Sequence, residues 1–227
     1  MRRAIRADLP SLRRSLVVIS SVIAVLLNGH AHALPPVGAL AHNLGPAVVW
    51  LESESPRADR PRSVGFFVGT RGILAAVLPG ATVGEGVRVR RHAAVDPGGA
   101  ALSGVVRAVG EHGLVLVEVP PLLDSVGYPA LGLVDDKRAR VPSTRSWLTG
   151  LCHHGDEVVG SIGGFDDLDG HGGWHLSLPC APGAPVLLED EVVAIVVQNR
   201  GGGIALALPA AEIRALARTL TQAPAPR

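Results

Sequence analysis

Short apolar runs separated by Gly, Pro and polar clusters dominate the chain from Ala47 to Leu208. Ala47–Glu52, Val64–Val68, Ile73–Val77, Val87–Arg91, Gly104–Val109 and Leu114–Val119 each have the length and β-branched content of a strand. Val87–Arg91 alternates apolar and basic residues, the period-2 pattern of a strand with one face in solvent. Gly69-Thr70-Arg71-Gly72 predicts a hairpin between two of these runs. A second series follows: Trp147–Leu151, Glu157–Ile162, Trp174–Leu178, Pro185–Leu188, Val192–Gln198 and Ile204–Leu208. The period then changes. In Ala210–Leu220, residues Ile213, Leu216, Ala217 and Leu220 fall at i, i+3, i+4 and i+7, one apolar helical face. Six strands, a connector, six strands and a helix predict an all-β protein of two six-stranded antiparallel barrels with a C-terminal α-helix.

The organisation expected from this pattern is a signal peptide over 1–33, a Pro/Gly-rich lead-in over 34–46 and an N-terminal barrel over 47–121. An inter-barrel connector over 122–146, a C-terminal barrel plus helix over 147–220 and a flexible tail over 221–227 follow. Arg2, Arg3, Arg6, Arg13 and Arg14 precede the apolar stretch Leu16–Leu27, which is short for a membrane span of about 20 residues. Ala31-His32-Ala33 then supplies small residues at cleavage-site spacing. The expectation is an exported protein, periplasmic or secreted. The alternative is a protein anchored to the inner membrane by the uncleaved signal, its only expected membrane contact.

Charge refines this picture. Of the net +1, residues 1–33 contribute +4, from five Arg against one Asp, so the remainder carries −3. A mildly acidic domain gives no electrostatic reason to bind nucleic acid. Arg88, Arg90 and Arg91 read as a solvated strand face. The two cysteines, Cys152 and Cys180, both lie in the exported part, where an oxidising compartment favours a disulfide. That bridge closes a loop of about 29 residues and contributes about 3–4 kcal/mol in the chain-entropy account. Two buried free thiols are the alternative. Trp50, Trp147 and Trp174 fall within strands and are expected in the barrel cores, as are Phe66 and Phe67 on opposite sides of one strand.

Several strings, in order, resemble trypsin-like serine proteases of the HtrA type over about 170 residues. Val64-Gly-Phe-Phe-Val-Gly with Gly72-Ile-Leu is similar to the family's Gly-Ser-Gly-Phe-Ile-Ile-Ser with Gly-Tyr-Ile-Leu. Glu191-Val-Val-Ala-Ile-Val-Val resembles its Gly-Glu-Val-Ile-Gly-Ile-Asn strand. Gly202-Gly-Ile-Ala-Leu-Ala-Leu-Pro resembles Gly-Gly-Ile-Gly-Phe-Ala-Ile-Pro, the last strand before the helix. The resemblance implies a Ser nucleophile, a His base and an orienting Asp. The family's His follows Ile-Leu-Thr-Asn; here Ile73-Leu-Ala-Ala leads through Val77 to Leu78. Its Asp sits in Thr-Asp-Ile-Ala-Leu-Leu; here His112 is followed by Gly113 and Leu114. Its Ser sits in Gly-Asn-Ser-Gly-Gly-Pro; here Cys180-Ala181 is followed by Pro182, Gly183, Ala184 and Pro185. Pro182 offers no hydroxyl and no backbone N–H.

The expected function is therefore that of an exported, catalytically inactive homologue that binds a protein or peptide. Strand edges beside Thr149–Leu151 and Val193–Val197 are the expected docking places. No cofactor and no metal are expected. The alternative is an active serine endopeptidase or metal-dependent hydrolase with a relocated site drawn from His112, His153, His154 (expected in a loop), Ser161 and the cysteines. A zinc set from Cys152, Cys180, His171 and His175, and a calcium loop at Asp166–Gly170, are the metal forms of that alternative. The calcium loop lacks a first ligand at Phe165 and the closing Glu at Leu176, so a hairpin tip is expected there.

Overall fold

A computed structural model describes residues 37–54, 62–91, 100–121, 127–135, 141–144 and 146–222. The expected signal peptide, the end of the tail and parts of the connector lie outside the described residues. Strands β1 (Val48–Ser53), β2 (Ser63–Gly69), β3 (Ile73–Val77), β4 (Gly86–Arg91), β5 (Leu102–Val109) and β6 (Leu114–Glu118) close one antiparallel barrel in the order β1-β2-β3-β6-β5-β4. Strands β7 (Trp147–His154), β8 (Glu157–Leu168), β9 (Trp174–Leu176), β10 (Pro185–Leu188), β11 (Glu191–Gly201) and β12 (Ile204–Pro209) close the second in the order β10-β11-β12-β9-β8-β7.

Three apolar cores explain why most of these strands lack alternation. Side chains alternate between the two faces of a strand, and here both faces are covered. Val49, Leu51, Phe67, Leu74, Val115 and Val117 fill the first barrel. Leu148, Trp174, Leu176, Val186, Ala194 and Val196 fill the second. Their neighbours along the same strands, Val48, Phe66, Val77 and Leu116 with Leu151, Leu187, Ile195 and Leu208, form a third core between the barrels. Phe66 and Phe67 thus serve two different cores, as their adjacency requires. β4 keeps its alternation because Arg88 and Arg90 face solvent, near Glu54 and Glu52.

Two helices pack against the barrels. Helix α1 (Val37–Leu44) arises within the expected lead-in. Its Gly and flanking Pro obscured Val37, Leu40, Ala41 and Leu44, which fall at i, i+3, i+4 and i+7. Ala41 and Leu44 pack on the inter-barrel core. Helix α2 (Ala210–Gln222) docks through buried Ile213 and half-buried Leu216, Ala217 and Leu220. Among the described residues no helix is long and apolar enough to cross a membrane.

Three local expectations need correction. Trp147 is 48% exposed rather than in a core, because it occupies the outward face where β7 begins, ahead of the part that meets the other barrel. His153 and His154 lie on β7, not in a loop, since β7 pairs with β8 to its tip through His154 and Glu157. Of the expected edges Thr149–Leu151 and Val193–Val197, Thr149, Gly150 and Ala194–Val196 are bonded on both sides: Thr149 pairs with Ile162 and Leu187, and Ala194 with Val186 and Pro209, whereas Leu151 pairs with Gly160 alone and Val197 lies past the last bond on that side of β11. Barrel closure consumes the bonded part of those edges.

Candidate functional site

The start of β2 in the first barrel meets the Ala181–Ala184 loop of the second. Leu78 follows β3 directly and is 3% exposed, part of the first barrel's interior. Its N–H donates to the Gly113 carbonyl at 2.7 Å. Gly113 closes a 3₁₀ turn at φ 76°, a left-handed conformation that favours glycine, and a Cβ there would lie 3.0 Å from Pro79 Cα. Leu78 and Gly113 are therefore neighbours. Across the junction the Val64 N–H donates to the Pro182 carbonyl at 3.3 Å. Gly183 sits at φ 91°, and any Cβ on it would collide with the Val64 carbonyl. Its N–H donates to the Val196 carbonyl at 2.7 Å, so the loop is wedged between β2 and β11.

Ser63, which sequence reasoning did not single out, is 7% exposed beside this junction. Its hydroxyl donates to the Val77 carbonyl, which commits it to the backbone. Cys152 and Cys180 lie at disulfide distance with Cα atoms 5.0 Å apart, linking β7 to the segment that leads into Pro182. Gly150 leaves room for both sulfurs. The Asn199 amide donates to the Cys180 carbonyl at 3.2 Å and ties the same segment to β11.

Ser161, His153 and His112 of the relocated-site alternative lie at different places in the fold. Ser161 on β8 is opposite Gly150, three residues beyond Val158, the partner of His153. At about 3.3 Å per residue that is about 10 Å along the strand. His153 stacks on Trp50 of the other barrel, ring centroids 4.0 Å apart. His112 sits in the turn before β6, at φ 52°.

The metal alternatives dissolve into local bonds. The cysteines face each other. His175 Nδ1 lies 2.7 Å from Asp167 and Nε2 lies 3.0 Å from Arg200. A guanidinium only donates, so Nε2 accepts, Nδ1–H donates to Asp167, and the imidazole is left without a free lone pair. The Ser177 hydroxyl lies 2.8 and 3.0 Å from the two Asp166 carboxylate oxygens. Asp169 accepts the N–H groups of His171 and Gly173, both at 2.8 Å. The His171 N–H holds the Asp169 carboxyl below its ordinary range, outweighing the opposing effect of desolvation, with a smaller contribution from the Gly173 N–H. Among the described residues no group of three or more His, Cys, Asp or Glu converges. Asp166 and Asp167 belong to β8, which runs to Leu168, so only Asp169 and Gly170 begin the hairpin tip. The Asp167–His175–Arg200 chain was not legible, since it depends on the β8–β9 register.

Among the described residues several strand stretches pair on one side only, Leu151–His154 of β7 and the end of β11 among them. β11 continues past its last bond to the Ala181–Ala184 loop, and Val197–Gly201 pairs only with β12 among the described residues.

No family model matches the chain, and no curated protein matches it in sequence. Among solved structures it is similar to the crystal structure of the serine endoprotease from Yersinia pestis. The TM-score is 0.62, with 15% identity over 83% of this chain and 68% of that one. This chain has the trypsin-like double-barrel fold. The likeness concerns architecture: two closed six-stranded barrels, with a C-terminal helix packed against them.

Proposed function

We propose that this chain is an exported, catalytically inactive homologue of trypsin-like proteases that binds an extended segment of a partner protein. The observation that carries the reading is the set of residues at the three positions that the family resemblance assigns to a triad. Where an acyl-transfer site needs a base, an orienting carboxylate and a nucleophile, the matching positions hold a buried Leu78, a left-handed Gly113 and Pro182. Pro182 also removes a backbone donor of the kind that stabilises an oxyanion. Export is supported by the arginine-led apolar N-terminus and by a cysteine pair at bonding distance. The half-open edge of β11 at Val197–Gly201 continues the edge expected at Val193–Val197 and suits strand addition.

The deciding experiment is intact mass before and after incubation with a fluorophosphonate probe. No adduct is expected. A stoichiometric adduct means an activated serine exists and the inactive reading is wrong. Binding is read separately by hydrogen exchange: a bound partner segment should slow the amides of Val197–Gly201, and unchanged exchange there in the presence of partner removes strand addition as the mode.

A further inference from the structure

On the helix side of the molecule, the Gly110–Leu114 turn, the β8–β9 tip and α2 enclose a cavity of 470 Å³. That volume falls within the range of small-ligand pockets, about 300–1,000 Å³. Leu114, Leu208 and Leu216 give it an apolar floor. On α2 the lining residues Glu212, Ala215, Leu216 and Thr219 follow i, i+3, i+4, i+7, one stripe of the helix. This stripe overlaps only at Leu216 with the residues that dock α2 on the core.

The walls are built in advance. The Gly110 N–H donates to the Leu114 carbonyl at 2.7 Å, and the Gly113 carbonyl is held by the Leu78 N–H. On the opposite side Asp169 grips the N–H groups of His171 and Gly173, which frame Gly172 in the lining.

The charge of the lining is one-sided. Its ionisable groups are Glu111, His112, His171 and Glu212, and none of its described residues is Lys or Arg. Glu212 lies in the first turn of α2, so its carboxylate already occupies the helix's positive end and an anion gains little there. The four groups do not form a converging ligand set, which disfavours a bare metal ion. We propose that this cavity binds an organic cation carried on an apolar stem, an ammonium or guanidinium met by Glu111 and Glu212 with its stem over the leucines. The site shares no residue with the β11 edge and stands whether or not the protein hydrolyses anything.

The test is NMR titration of the purified protein with hexylammonium, with hexanol and hexanoate as neutral and anionic matches. Hexylammonium should shift the amides of Glu111–Gly113 and Ala215–Thr219 saturably, with at least tenfold weaker binding of hexanol and none of hexanoate. Glu111→Gln and Glu212→Gln should each weaken the ammonium about fivefold. Ala215→Trp, at an exposed helix position, should fill the cavity and abolish binding while the thermal midpoint holds. A lysine tripeptide that binds as well as hexylammonium assigns the site to protein side chains; its exclusion assigns the site to free organic cations. Equal binding of hexanol, preference for hexanoate, binding that survives Ala215→Trp, or shifts produced by zinc chloride and not by the amine overturns the proposal. None of these results depends on the fluorophosphonate outcome, so this site and the inactive reading fail separately.

Discussion

The two barrels share a strand count and a junction but close differently. The first uses strands of five to eight residues and an interior of packed side chains. Tyr128 caps it, its ring stacked on Phe67 with centroids 4.4 Å apart and its hydroxyl donating to the Pro120 carbonyl. Burial pushes the Tyr128 phenol above its usual range, partly offset by the Arg91 charge. The second barrel carries the cysteine pair in its interior, and its strands β8 and β11 run to 12 and 11 residues. Those long strands carry the Asp166–Ser177 and Asp167–His175–Arg200 contacts and the half-open edge. One barrel has no cross-link and an apolar, packed interior. The other is cross-linked, and its long strands supply polar groups and backbone for recognition.

The largest expected effect strikes the barrel that lacks the cross-link. Phe67→Ala removes a fully buried ring and Tyr128's stacking partner, and should cost about 3–5 kcal/mol in urea unfolding. Replacing both cysteines by Ala should cost up to about 3–4 kcal/mol, the loop-closure contribution of a bridge with sequence separation 28. Its footprint should differ. Hydrogen exchange should quicken in β7, β10 and β11 while Leu74 and Val115 in the first barrel stay protected. Uniform loosening of both barrels would break the contrast, because the shared core would then be transmitting the whole loss.

Installing His, Asp and Ser at the three positions of the proposed triad tests that reading. Leu78→His exchanges an interior leucine for an imidazole and forfeits about 1.5–3 kcal/mol of apolar burial. Gly113→Asp places an L-residue at φ 76° against Pro79, at about 1–2 kcal/mol. With Pro182→Ser added, the triple variant should melt earlier and still give no fluorophosphonate adduct. An active triple variant would show that the first barrel keeps a working pocket for the imidazole, contrary to Leu78's place in its core.

What was legible in the sequence follows from where each signal is stored. Most strands showed because both-face burial writes continuous apolar runs such as Ile73–Val77, β4 showed by its alternation, and one-face burial writes the α2 stripe of Ile213, Leu216 and Leu220. α1 escaped because its four apolar positions sit among Gly and Pro. Trp147 misled because a strand position does not say how far the neighbouring barrel reaches. The site residues could be placed only through ordered strings, whereas the cavity beside α2 joins Glu111, His171 and Glu212, separated by 60 and then 41 positions. No local period records such a meeting.

The smallest effect isolates the second barrel's hairpin tip. Asp169 is half-buried, and the N–H groups of His171 and, less strongly, Gly173 favour its charged form and lower its folded pKa. A carboxyl with a depressed folded pKa adds stability above its unfolded value, near 3.8, and loses it as pH falls through the lower folded value. The carboxyl resonance of Asp169 should therefore titrate below the ordinary aspartate midpoint, and the His171 amide should shift with it. Asp169→Asn should flatten that amide shift while leaving global unfolding near neutral pH almost unchanged. The matching β2–β3 turn, Gly69–Gly72, has no carboxylate and should stay silent over the same range. An Asp169 midpoint at or above the ordinary value would mean the turn does not hold its carboxylate through those two N–H groups, and the His171 side of the cavity would lose the support assigned to it.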